Sequence, residues 1–419
     1  MNAVNPAPVN VCPAHTAPAL FDAAFVADPY PAYAALREEG RVRRVTLPGG
    51  VEAWLMTRYD DCRRAFLDTT SFSKDMAGSW TAFQEQRVPL TGDVVIGMGD
   101  SMLVSDPPRH TRLRALVAKG FTPRRIEALA PAVEQASAQL LDGLLSRTGE
   151  LAGRADLTAE FAALLPMEII RQMLDVPAED GERLRRAVEA VMSNDEESRE
   201  AAMAAFHEVH GYLAELVRRK RVEGGDDLTV ALIEARDSRD RLSEQELVSM
   251  LALLLSAGHE TTVNLLGSSV LALLRHPGQL ALLRREPERW PDAIEEVLRW
   301  DGPIQNALWR FTRVPVQVGE VTIPAGEAVA LSVAAADRDA ERFFDPETFD
   351  ITRGERAHLA FGHGIHHCLG APLARLEARI AVPLVFARLP ALALAGEPAY
   401  RPSTVSRALS SLPVTFVAP

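Results

Sequence analysis

The middle of the chain has a mostly helical pattern. Between about residues 107 and 300, long segments rich in Ala, Leu, Glu and Arg follow one another. Prolines separate these segments, because proline is disfavoured inside a helix. The separating residues are Pro107, Pro123, Pro131, Pro166 and Pro177. A further helix is predicted after Gly370.

Strand patterns flank this helical region. Residues 43–57 read as two strands joined at Pro48-Gly49-Gly50, and residues 314–333 read as strands with a turn at Pro324-Ala325-Gly326. The tail from about residue 400 alternates weakly and is predicted as strand. The fold class is therefore mainly α with small β-sheets.

One helix is well delimited at both ends. Ser243 and Glu246 form a capping box, in which hydroxyl and carboxylate bind free backbone N–H groups, and His276-Pro277 ends the helix. Its roughly thirty residues give about 45–50 Å, enough to cross a domain. Nearly every face is apolar, which predicts the central buried helix. Glu260 lies near its middle, and a buried carboxylate is costly unless it is paired or used.

Composition and charge exclude several classes of protein. The 419 residues are 47% apolar and 24% charged, a mix that excludes a disordered or collagen-like chain. The net charge of −12 argues against binding to nucleic acid or to anionic membranes. The most apolar stretch, Leu247 to Leu274, contains His259 and Glu260, so we do not predict a membrane helix.

The termini and cysteines indicate a cytoplasmic location. Residues 1–20 are rich in Pro and Ala, show no signal peptide, and are predicted as a flexible arm. Residues 21–419 are predicted as a single domain. Cys12, Cys62 and Cys368 lie far apart and cannot all pair, which indicates a reducing compartment.

The strongest chemical signal is the segment Phe361-Gly-His-Gly-Ile-His-His-Cys-Leu-Gly370. Its glycines let backbone N–H groups approach the sulfur of Cys368, and such donors lower a thiol pKa. A thiolate on a tight loop suits iron ligation. The alternatives are a buried structural cysteine, a zinc site with the nearby histidines, and a nucleophile activated by His366 or His367.

This segment resembles the haem-binding cysteine loop of the cytochrome P450 superfamily, FxxGxHxCxG, with every fixed position filled. The resemblance extends from about residue 20 to the C-terminus. It implies haem b as cofactor, Cys368 as the axial thiolate of the iron, and O2 as co-substrate. It also implies that the haem lies between the long central helix and the helix after the cysteine loop.

A basic segment provides a second site. Arg109 to Arg125 contains six Arg and Lys residues and no acid, and such a patch should meet an anion. His110 and Arg114 are four residues apart and share one helix face. In the family, this HxxxR pair binds the haem propionates. The resemblance assigns the same role to Arg310 and His366.

Arg112 lies about 200° around the helix from His110, so we expect it to face outward. There it would meet an acidic electron-donor protein. The resemblance implies that this donor is a ferredoxin served by an NAD(P)H-ferredoxin reductase.

Glu296 and Arg299 match the ExxR motif of the family. A Glu/Arg pair three residues apart is otherwise a common surface pair of small energy. The resemblance implies a buried structural pair that performs no chemistry.

Glu260 and Thr261 match the acid–alcohol pair of the family, which supplies protons for dioxygen activation. The alternative is a helix distortion in which the Thr261 hydroxyl bonds to a backbone carbonyl. Gly258, one turn earlier, is expected to leave room for the ligand.

Residues 257–265 and 358–381 resemble the soluble bacterial, actinomycete-type enzymes that oxidise macrolides, other polyketides and steroid-like molecules. We therefore expect a monomeric monooxygenase that hydroxylates or epoxidises a large apolar natural product, such as a macrolide in antibiotic biosynthesis. Alternatives are a steroid or terpenoid hydroxylase, a peroxide-driven variant, and a haem sensor without turnover.

The walls of the substrate pocket are predicted from position along the chain. Residues 76–100 precede the propionate-binding helix and suit a flexible lid. Other candidates lie on the central helix, near residues 304–308 and in the tail, and core packing is the alternative for each. The candidates are Trp80, Phe83, Val94, Leu253, Ala257, Ile304, Leu308 and Leu409.

Overall fold

The computed structural model describes residues 20–88, 100–146, 153–192, 199–237 and 242–417. Helices account for most of its regular structure. They are α1 Ala23–Ala27, α2 Tyr30–Glu39, α3 Tyr59–Leu67, α4 Met76–Ser79, α5 Thr81–Gln84, α6 Arg109–Ala118, α7 Pro123–Glu127, α8 Ala130–Ser146, α9 Leu164–Leu174, α10 Gly181–Val191, α11 Arg199–Glu223, α12 Leu228–Asp237, α13 Glu244–Arg275, α14 Pro277–Arg285, α15 Trp290–Asp301, α16 Val333–Ala336 and α17 Ala371–Arg388. All of the predicted N-terminal arm except Leu20 lies outside the described residues.

The strands are short, as the sequence predicts. They are β1 Val42–Leu47, β2 Val51–Met56, β3 Phe72–Ser73, β4 Gly153–Asp156, β5 Asn306–Thr312, β6 Val316–Val318, β7 Val321–Ile323, β8 Ala328–Ser332, β9 Ala393–Leu394, β10 Ala399–Tyr400, β11 Leu409–Ser411 and β12 Pro413–Phe416. The largest sheet has the order β1-β2-β8-β5-β3. Within it β1 and β2 form the predicted hairpin, and β2 runs parallel to β8 with Trp54 opposite Val329. The prediction of a mainly α fold with small sheets is confirmed.

Helix α13 is the predicted central helix. It has 32 residues, and both hydrogen bonds of the capping box between Ser243 and Glu246 are present at its start. It ends at His276, as predicted, and most of its residues are buried. The largest apolar cluster surrounds it and includes residues of α8, α9, α15 and α17. Because helices cover it on several sides, α13 positions any chemistry at its middle deep inside the protein.

Glu296 and Arg299 hold irregular chain in place next to this core. Both Arg299 Nε and Nη2 bind the Glu296 carboxylate at 2.8 Å, and the Arg299 side chain is fully buried. Arg299 also donates to the carbonyls of Asp337, Pro346 and Thr348. These carbonyls belong to the segment that leads to the cysteine loop, so the pair fixes the path of that segment.

No helix in the described ranges combines the length and the apolar character that crossing a membrane requires.

Candidate active site

A cavity lies between the middle of α13 and the loop that precedes α17. Ala257, Gly258 and Thr261 line it from α13, and Phe361 and Cys368 line it from the loop. The cavity therefore joins the two strongest motifs of the sequence, which are about a hundred residues apart in the chain. Most of its remaining wall is apolar.

The loop before α17 bends sharply around Cys368. Gly362 and Gly364 have φ values of 68° and 72°, which favour glycine. A Cβ at Gly364 would lie 2.8 Å from the carbonyl oxygen of Phe66, so a side chain would also collide with α3. The Cys368 amide donates to the Phe361 carbonyl at 2.9 Å, which closes the loop. The sulfur is thereby presented to the cavity.

The electrostatics of Cys368 favour a metal ligand over a nucleophile. Burial raises the pKa of the thiol, and the backbone N–H groups of Gly370 and Ala371 oppose that rise. Burial first, and nearby cations second, lower the pKa of His366 to about 2, so this ring is a poor base. The described residues contain no cluster of acidic, His and Cys side chains that could hold a zinc ion. A bound metal cation would itself deprotonate the thiol.

Cationic and imidazole side chains line one edge of the cavity. Arg310 is almost fully buried, its guanidinium lies 4.6 Å from the centre of the Phe66 ring, and burial lowers its pKa to about 10. Arg114 Nη2 donates to the His367 carbonyl at 2.6 Å. The rings of His110 and His366 are 4.2 Å apart. The structure therefore brings together His110, Arg114, Arg310 and His366.

The His110 ring at this edge of the cavity lacks a hydrogen-bond partner among the described residues. Its side chain is 1% exposed, and neither ring nitrogen has a hydrogen-bond partner among the described residues. Burial lowers the pKa of this ring, so it is neutral and offers one N–H donor. A buried donor beside two guanidinium groups requires an anionic or oxygen-rich partner. The edge fits a carboxylate-bearing ligand inside the cavity.

Glu260 and Thr261 lie on different faces of α13. Thr261 lines the cavity, and its Oγ1 donates to the Ala257 carbonyl at 2.7 Å. This is the bond to a backbone carbonyl that the alternative interpretation, a helix distortion at Thr261, requires. Glu260 lies outside the cavity lining, and its Oε1 is 3.5 Å from a guanidinium nitrogen of Arg401. Arg401 is 43% exposed and Glu260 only 9%, so Glu260, the neighbour of Thr261 in the chain, contacts a solvent-facing cation.

Gly258 has a second role besides leaving room for a ligand. A Cβ at this position would lie 2.8 Å from Cδ1 of Ile170, a buried residue of α9. The lack of a side chain at Gly258 also permits the close packing of α9 on α13.

The profile of the cytochrome P450 family matches residues 47–290 and 291–393 of the chain. This chain is a cytochrome P450.

Its relatives are bacterial P450s that span nearly its whole length. The cytochrome P450 monooxygenase PikC of Streptomyces venezuelae is 45% identical, covering 94% of this chain and 92% of PikC. The vitamin D(3) 25-hydroxylase of Pseudonocardia autotrophica is 46% identical, covering 95% of this chain and 96% of the relative. The structure of tirandamycin C-bound TamI, a P450 monooxygenase, has a TM-score of 0.85 at 41% identity and covers 94% and 99% of the two chains.

Family membership makes the protein a monooxygenase and implies a haem-thiolate iron and the use of O2. The residues of this P450 fit that cofactor. The sulfur of Cys368 opens into the cavity, and the two unpartnered nitrogens of His110 lie at the cationic edge. A planar, apolar ring system with two carboxylates matches an apolar cavity with one cationic edge.

Four of the predicted substrate-wall residues line the cavity of this P450, namely Leu253, Ala257, Ile304 and Leu308. Val94 lies outside the described residues.

The other three candidates, Trp80, Phe83 and Leu409, do not line this cavity. Trp80 is 1% exposed, and its ring packs 5.2 Å from that of Phe311 and 6.4 Å from that of Phe83. These aromatic residues belong to an apolar cluster beside the large sheet, away from the cavity. Leu409 is 2% exposed and packs against Gly267 of α13. The contact is so close that a Cβ at Gly267 would collide with the Leu409 side chain. In all three cases core packing, the alternative, applies.

Sequence reasoning missed the wall opposite the cysteine loop. It comes from α9, α10 and α11, and includes Ile170, Val191, Phe206, Val209 and His210. These helices follow a regular amphipathic pattern in the sequence. Such a pattern marks a buried face but does not distinguish a face against the core from one against a cavity.

Arg112, which was expected to face outward, does so only in part. Its side chain is about one-third exposed and donates to Oε1 of Glu246 at 2.5 Å. Arg109 reaches the same oxygen at 3.2 Å. Glu246 begins α13, so Arg112 ties α6 to the central helix.

Proposed function

We propose that this P450 holds haem b with Cys368 as its axial thiolate and inserts one oxygen atom from O2 into a large apolar natural product, a macrolide or another polyketide. The observation that carries the proposal is that Cys368, Thr261 and the apolar residues of α13 line one and the same cavity. The bound haem supplies the activation of O2 that hydroxylation or epoxidation of the substrate requires.

In this proposal the residues at the cationic edge hold the cofactor. Arg114 and Arg310 bind the two propionates by charge-assisted hydrogen bonds, and His110 and His366 add neutral N–H donors. Burial and the cationic neighbours of His366 lower its pKa, which favours a neutral ring with one N–H donor. Glu296 and Arg299 act only by fixing the path of the segment that leads to the cysteine loop.

Proton supply is assigned to Thr261 and Glu260. The Thr261 side chain lines the cavity and offers its oxygen there, while the Glu260 carboxylate takes protons from the solvent side near Arg401. The Thr261 oxygen can accept a hydrogen bond while its own proton points to the Ala257 carbonyl. This pair favours an enzyme over a haem sensor, which has no need of proton delivery.

Thr261→Ala tests this assignment. We expect NAD(P)H to be consumed at a rate within about twofold of wild type, while product formed per NAD(P)H falls about tenfold or more and peroxide rises. The reason is that the alanine leaves no hydroxyl at this point of the cavity. Thr261→Ser keeps the hydroxyl and should remain coupled. Fully coupled turnover in Thr261→Ala would refute the role.

The substrate class rests on the cavity and on two relatives. The wall above the cysteine loop is built from aliphatic and aromatic side chains, which suit a large apolar molecule. PksS of Bacillus subtilis, 38% identical, is a polyketide biosynthesis cytochrome P450, and TamI binds tirandamycin C in its structure. The 46% identity with a vitamin D(3) 25-hydroxylase favours a steroid-type substrate as the second candidate.

The electron donor and the location complete the proposal. We assign electron delivery to a ferredoxin and its NAD(P)H-dependent reductase. The described cysteines, Cys62 and Cys368, are both free thiols, which suits a reducing cytoplasm.

Visible spectroscopy of the dithionite-reduced protein under carbon monoxide tests the haem-thiolate assignment. A strongly red-shifted Soret band is expected. A band at the position of neutral or histidine ligation in folded protein would contradict thiolate ligation. Substrates are then screened by spin-state shift, with polyketide lactones against steroids. Binding and turnover of steroids alone would replace the first candidate with the second.

A further inference from the structure

A buried lysine lines the cavity next to the cationic edge. Lys74 lies between β3 and α4, is 6% exposed, and belongs to the cavity lining. Its Nζ donates to the carbonyls of Leu308 and Trp309 in β5 at 2.8 and 2.7 Å. An ammonium group has three N–H donors, so these two carbonyls leave one donor unused.

No carboxylate of the described residues forms an ion pair with this ammonium group. Asp106 is the nearest acid that acts on it, but its oxygens bind the Lys74 backbone amide, the Ser73 hydroxyl and the Arg313 guanidinium. Burial lowers the pKa of Lys74 and the charge of Arg310 lowers it further. A buried ammonium group held by neutral carbonyls alone is unfavourable, because burial removes its hydration and no opposite charge replaces it.

The position of Lys74 indicates which anion is missing. The two carbonyls that hold it belong to Leu308 and Trp309, the residues directly before Arg310 in β5. Lys74, Arg310 and His366 all line the same cavity. An anion bound by Arg310 in this cavity is therefore the natural partner for the third donor of Lys74.

We propose that Lys74 is a further ligand of the cofactor carboxylates, donating its third N–H to the haem propionate that Arg310 binds. This inference rests on the proposed function and adds a residue to its haem site. Leu308 and Trp309 fix the ammonium group through its other two donors. The propionate supplies the negative charge that this buried cation otherwise lacks.

The alternative is a purely structural lysine that ties the β3–α4 connection to β5. Both roles predict that loss of the ammonium group loosens the haem. They differ in their dependence on the haem carboxylates, because only a propionate ligand loses its partner when these carboxylates are esterified. The test therefore compares the natural cofactor with its dimethyl ester.

The experiment measures the rate of haem transfer to excess apomyoglobin from holoprotein reconstituted with haem b or with haem b dimethyl ester. With haem b, we expect Lys74→Met to release the cofactor about tenfold faster than wild type, since a charge-assisted hydrogen bond is lost. With the dimethyl ester, wild type and Lys74→Met should release it at the same rate within about twofold. Lys74→Gln keeps N–H donors for the strand carbonyls without the charge and should behave like Lys74→Met.

Lys220→Met is the matched control. Lys220 is 5% exposed like Lys74, but it pairs with Asp175 and Asp227 away from the cavity. Its loss should change the release of both cofactors by the same factor.

Two outcomes overturn the inference. Equal acceleration of both cofactors in Lys74→Met and Lys74→Gln would assign a structural role to the lysine. No acceleration in Lys74→Gln with haem b would exclude a contact with the propionate, even if Lys74→Met failed to fold. Failure of the wild type to take up haem at all would instead refute the proposed function, and the inference with it.

Discussion

In Cys368→Ser we expect the strongly red-shifted Soret band of the reduced carbon monoxide complex to disappear, and turnover to fall more than about a hundredfold. Serine matches the size of cysteine and preserves the loop, whose shape depends on Gly362, Gly364 and the bond from the residue 368 amide to Phe361. The hydroxyl stays protonated where a thiolate would bind iron. The measurement is the carbon monoxide difference spectrum at matched haem content.

Cys62→Ala is the control for this substitution. Cys62 is a free cysteine like Cys368, but it is buried in the apolar core near the Met56 carbonyl and lies outside the cavity lining. This variant should keep the red-shifted band. A red-shifted band that survives in Cys368→Ser would contradict the ligand assignment, whatever the activity.

The second large effect concerns Glu377, a carboxylic acid buried in α17 behind the cysteine loop. It is 2% exposed, its Oε2 has no hydrogen-bond partner among the described residues, and burial raises its pKa to about 8 from 4.5. The folded protein therefore keeps this group protonated between pH 4.5 and 8, whereas the unfolded chain ionises it. Its stabilising contribution is complete below pH 4.5 and is lost as the pH rises through 8.

The expected loss in the free energy of unfolding from this one group is roughly 3–5 kcal/mol across that interval. Glu377→Gln cannot ionise and should escape this loss, so the variant gains stability relative to wild type as the pH rises from 5 to 8. Urea unfolding of both holoproteins at fixed haem concentration measures the difference. Glu288→Gln, at an exposed glutamate, should leave the pH dependence unchanged. Parallel stability curves for wild type and Glu377→Gln would show that Glu377 is ionised in the folded protein.

The sequence predicted the parts of this P450 that depend on local pattern. The boundaries of α13 follow from Ser243, Glu246 and His276-Pro277, because caps act within one helical turn. The tight loop at Cys368 follows from its glycines. The pairs that local spacing brings onto one helix face, such as Glu296 with Arg299, are also present.

The features that the sequence did not reveal all involve partners that are distant in the chain. A helical wheel gave the direction of Arg112 relative to His110, but Glu246, which binds it, is contributed by another helix. Trp80 was placed in a lid because of its position before α6, yet its ring packs against Trp309 and Phe311 of β5. No local pattern in the sequence reveals which distant strand or helix will supply such a partner.

Lys74 is a further residue whose distant partners the sequence does not reveal. In the sequence it stands in a short polar run, Ser73-Lys74-Asp75, which is typical of an exposed turn. Its burial depends on carbonyls of β5 that are more than two hundred residues away.

The shared carboxylate of Glu246 has a consequence for recombining this enzyme with its relatives. The same side chain caps α13 through Ser243 and binds Arg109 and Arg112 of α6. A chimera that takes α6 from one parent and the start of α13 from another would separate these partners, and a parent without the acid would leave two half-buried guanidinium groups facing each other. Residues 109, 112 and 246 should therefore be inherited together as one block when crossover points are chosen.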